Sequence, residues 1–249
     1  MRKPIMAGNW KMYKTPAETT QFLEKFRPLV EKSEHAGIVI CPPFTNLAAA
    51  AAAAQGSHIH IGSQNIAWAK EGAFTGEISG AMLRAAGATH AIIGHSERRQ
   101  YFGETDETVL KRTEAALEAG LTPIVCVGER LEEREAGNTE AVLVRQFAGG
   151  IAGLTGQQFA KIVIAYEPVW AIGTGKTATP EIAADAHRAI RAQVRAKFGK
   201  DAADAVRILY GGSVKPDNVK TLMAQPEIDG SLVGGASLDP VSFASIVNF

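Results

Sequence analysis

The chain has 249 residues, with 26 Lys and Arg set against 26 Asp and Glu. That zero balance excludes a global pull toward nucleic acid or an anionic membrane, so a small anionic ligand would need a local positive site. Two cysteines, Cys41 and Cys126, are too few for a disulfide framework or a thiolate metal site and point to a reducing cytosol. "MRKPIMAGNWK" lacks the apolar core of a signal peptide, and no run approaches the roughly 18 apolar residues of a membrane span.

Short apolar runs recur along the chain: "IMAGNW" from Ile5, "IVIC" from Ile38, "IHIG" from Ile59, "AIIG" from Ala91, "PIVCVG" from Pro123, "IVIAYE" from Ile162, "RILYGG" from Arg207 and "SLVGG" from Ser231. Each is too short for a helix and too apolar for a half-exposed strand, which suits parallel strands covered on both faces. Helical signals fill most intervals. "TPAE" at Thr15 is a capping box with proline at the first helical position, followed by Phe22, Phe26 and Val30 at helical spacing. Pro28 should kink or shorten that helix. The alanine run from Ala48 to Ala54 predicts a packed helix rather than low complexity. A helix closed by glycine is expected between Thr105 and Gly120. "TPEI" at Thr179 starts another, with Ile182, Ala186, Ile190, Val194 and Phe198 on one stripe.

No linker divides the chain, so residues 1–249 read as one α/β domain. The strand–helix units average about 31 residues, the size of a βαβ repeat, and a closed (β/α)8 barrel needs about 250. An open doubly wound sheet is the alternative.

Polar residues gather where strands end: Asn9 and Lys11 after the first, His95, Ser96 and Glu97 after the fourth, Glu167 after the sixth. In a barrel these ends share the face that carries active sites. The seventh and eighth strands end in Gly211–Ser213 and in Gly234 and Gly235, loops whose backbone N–H groups can hold a phosphate. Singly, each residue has an ordinary structural explanation. Together they bring a base, an imidazole, an ammonium and phosphate-binding loops to one face. Two nearby patterns mislead. "WAIGTGKT" has Trp170 where a nucleotide P-loop needs glycine, and "GTGKTA" stands too far past its strand for a dinucleotide fingerprint.

"GNWKM" at Gly8, "GHSERR" at Gly94, "AYEPVWAIGTGK" at Ala165, "YGGSV" at Tyr210 and "VGGASL" at Val233 together resemble the triosephosphate isomerase family, and the resemblance spans the whole chain. It implies a TIM barrel that interconverts dihydroxyacetone phosphate and D-glyceraldehyde 3-phosphate through an enediolate, with no cofactor and no metal. Glu167 matches the base, His95 the neutral imidazole that polarises the carbonyl, and Lys11 the electrostatic stabiliser, with Asn9 a polar contact. Those roles also appear among standard cases of pKa tuning. Ser96 and Glu97 support His95, while Ile172 and Leu232 press on the base. The lid corresponds to Pro168, Val169, Trp170, Ala171, Ile172, Gly173, Thr174, Gly175 and Lys176. Gly173 would donate its N–H to phosphate together with Ser213, Gly234 and Gly235. The segment from Glu71 to Gly80 matches a loop that docks on a second subunit, where Thr75 reaches the partner's Asn9, giving a homodimer.

Three other readings stay open on residues alone. Another phosphate-binding barrel enzyme would share the glycine loops. A Schiff-base aldolase would want a lysine inside the barrel, where the sixth strand offers only Lys161 before its start. A nucleotide-binding module is disfavoured by Trp170.

Overall fold

The computed structural model describes residues 2–172 and 178–249. Among them, parallel strands close into a barrel in chain order: β1 (Ile5–Asn9), β2 (Gly37–Cys41), β3 (Ile59–Ser63), β4 (His90–Ile93), β5 (Thr122–Val127), β6 (Val163–Tyr166), β7 (Ile208–Tyr210) and β8 (Gly230–Val233). Closure is the pairing of β8 with β1, from Ile5 opposite Gly230 to Gly8 opposite Val233, which removes the edges an open sheet would have.

Alternation along the strands separates two cores. Ala7, Val39, Ile92, Ile124, Val163, Ala165, Leu209 and Leu232 pack with Cys41 and Cys126 inside the barrel. Their neighbours, such as Met6, Ile38, Ile61, Ile93, Val125 and Ile208, face the helices in a second apolar layer. Strands covered on both faces are why the runs carry so little polar alternation.

The helices begin where the capping signals stand. Thr15 and Glu18 form the capping box of helix Pro16–Val30, Thr105 caps Asp106–Glu118, and Thr179 caps Pro180–Phe198. The alanine-rich helix Leu47–Ala54 buries Leu47, Ala50 and Ala54. Pro28 does not shorten its helix, which continues to Val30. Proline there removes the donor that would meet the Glu24 carbonyl, yet buried Phe26 and Val30 on either side hold the last turn against the core.

Candidate active site

Glu167 follows Val163 and Ala165 in the inward series and so projects into the barrel mouth. Its backbone is fixed from both sides: its N–H donates to the Val127 carbonyl at 2.7 Å, and the Gly211 N–H donates to the Tyr166 carbonyl at 2.7 Å. The neighbouring strand ends come so close that a Cβ on Gly128 would lie 1.7 Å from the Glu167 carbonyl oxygen, and one on Gly211 2.9 Å from Glu167 Cγ. Glu167 is 2% exposed. Its Oε2 accepts from the Ser96 N–H at 2.9 Å, and its Oε1 accepts from Ser96 Oγ at 3.3 Å and faces His95 Nε2 at 2.9 Å. Burial pushes the carboxyl pKa up, but His95, the Ser96 N–H and Lys11 outweigh it and hold the value below the ordinary range. The group is therefore an ionised carboxylate.

His95 does not follow the alternation that would point Gly94 inward after His90 and Ile92. Gly94 adopts a left-handed backbone, φ +68°, and that turn brings His95 to the mouth instead. His95 then caps helix Ser96–Phe102, its Nδ1 accepting from the Glu97 N–H at 3.2 Å. This fixes the tautomer: the ring proton sits on Nε2 and is donated to Glu167. Burial disfavours the imidazolium, while Glu167 and Glu97 favour it and Lys11 opposes it. With Glu167 in contact the carboxylates prevail, and the imidazole pKa lies above its ordinary value. Protonating Nδ1 would set its N–H against that of Glu97, so the hydrogen-bond geometry resists the same change. The family resemblance implies a neutral imidazole at the start of a helix; the structure adds an opposing carboxylate, Glu167, just past the end of β6.

Lys11 is one of two non-glycine residues with left-handed φ among those described, at +53°, a conformation costing on the order of 1 kcal/mol. Side-chain amides hold it there. Asn9 Oδ1 accepts from the Lys11 N–H at 3.1 Å, and Gln64 Nε2 donates to the Lys11 carbonyl at 2.8 Å and to that of Cys41 at 2.9 Å. The ammonium is 2.6 Å from Glu97 Oε1. Gln64 escaped the sequence reading, since a lone glutamine after a strand carries no local signal.

Asn9, Lys11, His95 and Glu167 line a cavity of about 700 Å³ together with Ile172, Leu232, Ser213, Gly234 and Gly235, while Ser96, Glu97 and Gln64 stand behind its wall. Lys215, Asp217 and Ser242 border it as well and were not anticipated. Pro168, Val169, Trp170 and Ala171 lead away from Glu167 through a 3-10 turn, Val169–Ala171. Glu129 ties that turn down: its Oε1 accepts from Trp170 Nε1 at 2.8 Å and from the Tyr166 hydroxyl at 3.1 Å, with the Arg134 guanidinium 4.5 Å from the Trp170 ring centre. Gly173, Thr174, Gly175 and Lys176 lie outside the described residues. Thr75 is exposed on the protruding segment and does not line the cavity. The base of that segment is held by an ion pair of Glu77 with buried Arg112 at 3.2 Å. Among the described residues no cluster of three or more His, Cys, Asp or Glu could hold a metal ion, and no helix is long and apolar enough to cross a membrane.

A carboxylate, an imidazole with a fixed tautomer and an ammonium thus converge on one cavity beside glycine loops. The family model of triosephosphate isomerase matches residues 4–249. The triosephosphate isomerase of Solibacter usitatus is 81% identical over 249 residues, covering all of both chains. That of Citrifermentans bemidjiense is 59% identical, covering all of this chain and 99% of its own. The crystal structure of triosephosphate isomerase from Bartonella henselae superposes with a TM-score of 0.89 at 40% identity, covering 99% of this chain and 98% of that one.

Proposed function

The chain belongs to the triosephosphate isomerase family and is an aldose–ketose isomerase, and from that premise we propose how its residues interconvert dihydroxyacetone phosphate and D-glyceraldehyde 3-phosphate. Glu167 leaves Ser96 and His95, takes a proton from the carbon next to the substrate carbonyl, and returns it to the adjoining carbon. Burial that removes water from the carboxylate makes it a stronger base. His95, neutral with its proton on Nε2, donates to the carbonyl oxygen and then moves protons between the two oxygens of the enediolate. Lys11 stabilises the negative charge on that oxygen, and Asn9 holds Lys11 in place. The single observation that carries this reading is the contact of His95 and Glu167 at 2.9 Å on the wall of the cavity that Lys11 shares.

Backbone N–H groups of Ser213, Gly234 and Gly235 take the substrate phosphate, with Gly173 joining from the lid. Residues Pro168 to Lys176 cover the site, Ile172 and Leu232 pressing on the base, so that the enediolate is reprotonated before it can eliminate phosphate. Residues 1–249 act as one domain. Two copies pair through the segment from Glu71 to Gly80, where Thr75 meets the partner's Asn9, and the dimer works in the cytosol. The test is a coupled assay of dihydroxyacetone phosphate turnover with Glu167→Gln in parallel. Turnover that the substitution removes supports the assignment; undiminished turnover in the variant overturns Glu167 as the base.

A further inference from the structure

The same alternation that delivers Glu167 to the mouth delivers another set of side chains to the opposite end of the barrel. On β4, inward Ile92 places His90 inward two residues earlier; on β7, inward Leu209 does so for Arg207. On β3, Ile59 and Ile61 face the helices, which leaves His60 on the lumen side. The space in front of Gly62 is bounded by Cβ of His90, Cγ1 of Val39 and Sγ of Cys41, so His90 stands inside the barrel wall. Its ring lies 5.3 Å from that of His60, centre to centre. The charged groups acting on the two rings are all basic: His58 and Lys3 on His60, and His60 and Arg207 on His90.

Two details show that this cluster is unfinished. Arg207 Nε is buried and finds no hydrogen-bond partner among the described residues, which for a cationic donor is costly. The Thr89 hydroxyl donates to the Ile61 carbonyl at 3.1 Å and therefore accepts from His90 Nδ1 at 2.8 Å. That leaves His90 Nε2 free to take a proton and become a second donor.

We propose that the foot of the barrel is a second anion site, taking a small multivalent oxyanion such as phosphate or pyrophosphate on Arg207, Lys3, His60 and His90. Arg207 supplies a fixed charge with a planar set of donors suited to phosphate oxygens, and Lys3 a mobile ammonium from the exposed side. Both imidazoles resist protonation alone: burial and the basic groups His60 and Arg207 disfavour it at His90, and partial burial with His58 and Lys3 nearby disfavours it at His60, which is open to solvent. An anion between them reverses that balance, so oxyanion and protons bind together and affinity rises as pH falls. This site lies at the far end of the barrel from the catalytic cavity, none of whose lining residues it shares.

Nitrogen NMR of histidine-labelled protein, titrated with inorganic pyrophosphate at constant ionic strength and pH 6.5, tests the site. His60 and His90 signals are assigned with His60→Asn and His90→Asn. The expected result is a saturable move of both toward the imidazolium form. Arg207→Gln should weaken the midpoint about tenfold or more, the loss of a charge-assisted donor, with kcat/KM for the isomerisation unchanged. If Arg207→Gln does not fold, Lys3→Gln should weaken the midpoint about threefold, as expected for a more exposed charge. Signals that stay put, that move without saturation as with chloride, or that saturate at an unchanged midpoint in the folded variant would overturn the proposal.

Discussion

His95 Nε2 and Glu167 Oε1 lie 2.9 Å apart, so the proposed base and the proposed electrophile are each other's hydrogen-bond partners. The contact gives each group a different chemistry in and out of it. While it lasts, the carboxylate raises the imidazole pKa and the imidazole lowers that of the carboxyl. If Glu167 turns to a substrate carbon, as proposed, burial and Lys11 both favour neutral His95, with Glu97 opposing them.

Glu167→Gln keeps the size of the side chain and one accepting oxygen, sets an NH2 against a donor of Ser96 or His95, and removes the proposed base. It should fold and bind substrate while kcat falls by about 10² to 10⁴, the usual worth of a positioned base. Exchange of substrate deuterium with solvent reads the step directly, and near wild-type exchange would refute the role.

The pH dependence has a defined sign. A carboxyl whose pKa is held below its ordinary value stays ionised until the pH falls through that lowered value, so the acid limb of kcat/KM lies low. His95→Gln removes the main opposing influence and leaves burial, which pushes the carboxyl up. The acid limb should move to higher pH in the variant, together with a slower chemical step. A pH–rate profile with an unmoved limb would count against the coupling.

Gln64→Leu leaves the Lys11 and Cys41 carbonyls without the amide that bridges them. The left-handed turn at Lys11 should relax and its ammonium drift from the cavity. If that charge stabilises the developing oxyanion as proposed, kcat should fall together with kcat/KM. Active-site titration with a substrate analogue separates this from a general loss of folded protein, which would lower the number of sites rather than the rate per site.

His187 is fully buried, its Nδ1 3.1 Å from the Glu227 carbonyl. Burial lowers its pKa from 6.5 to about 3. The unfolded chain therefore takes up a proton near pH 6.5 that the folded chain refuses until about pH 3. Stability should be complete above that window and fall through it as pH drops, by up to about 1.4 kcal/mol per pH unit. His187→Gln should flatten the slope in urea unfolding at fixed protein concentration. An unchanged slope would show that other groups dominate.

Thr75→Arg would place a charge where the proposed partner surface closes, an unfavourable burial. Dimer and activity should weaken together, followed by sedimentation and assay at the same concentrations. A monomer with unchanged activity would break the proposed link between them.

Much of the barrel was legible because strands buried on both sides announce themselves as apolar runs, and helix starts carry capping residues at fixed spacing. Glu167 stood out as the carboxylate that closes the sixth apolar run, and the structure supplied the inward alternation that places it. His95 was found by its setting in "GHSERR" but could not be oriented, since a left-handed Gly94 resets the alternation. Gln64 and Glu129 stayed hidden because they act across the fold, on Lys11 and on Trp170, through contacts with no sequence neighbour to mark them. The pairing of His95 with Glu167 was equally out of reach, since it joins strands distant in the chain.

Gly128 and Gly211 stand on either side of Glu167 with no room for a methyl group. The setting of Glu167 thus depends on two positions where there is no side chain to remove. A scan that trims every residue to alanine would read both backwards, since at these two sites alanine is the larger residue and any defect measures intrusion. Their value to the fold shows only when something is added, so libraries that aim to retune Glu167 would do best to hold both positions fixed and vary the second rank of residues behind them.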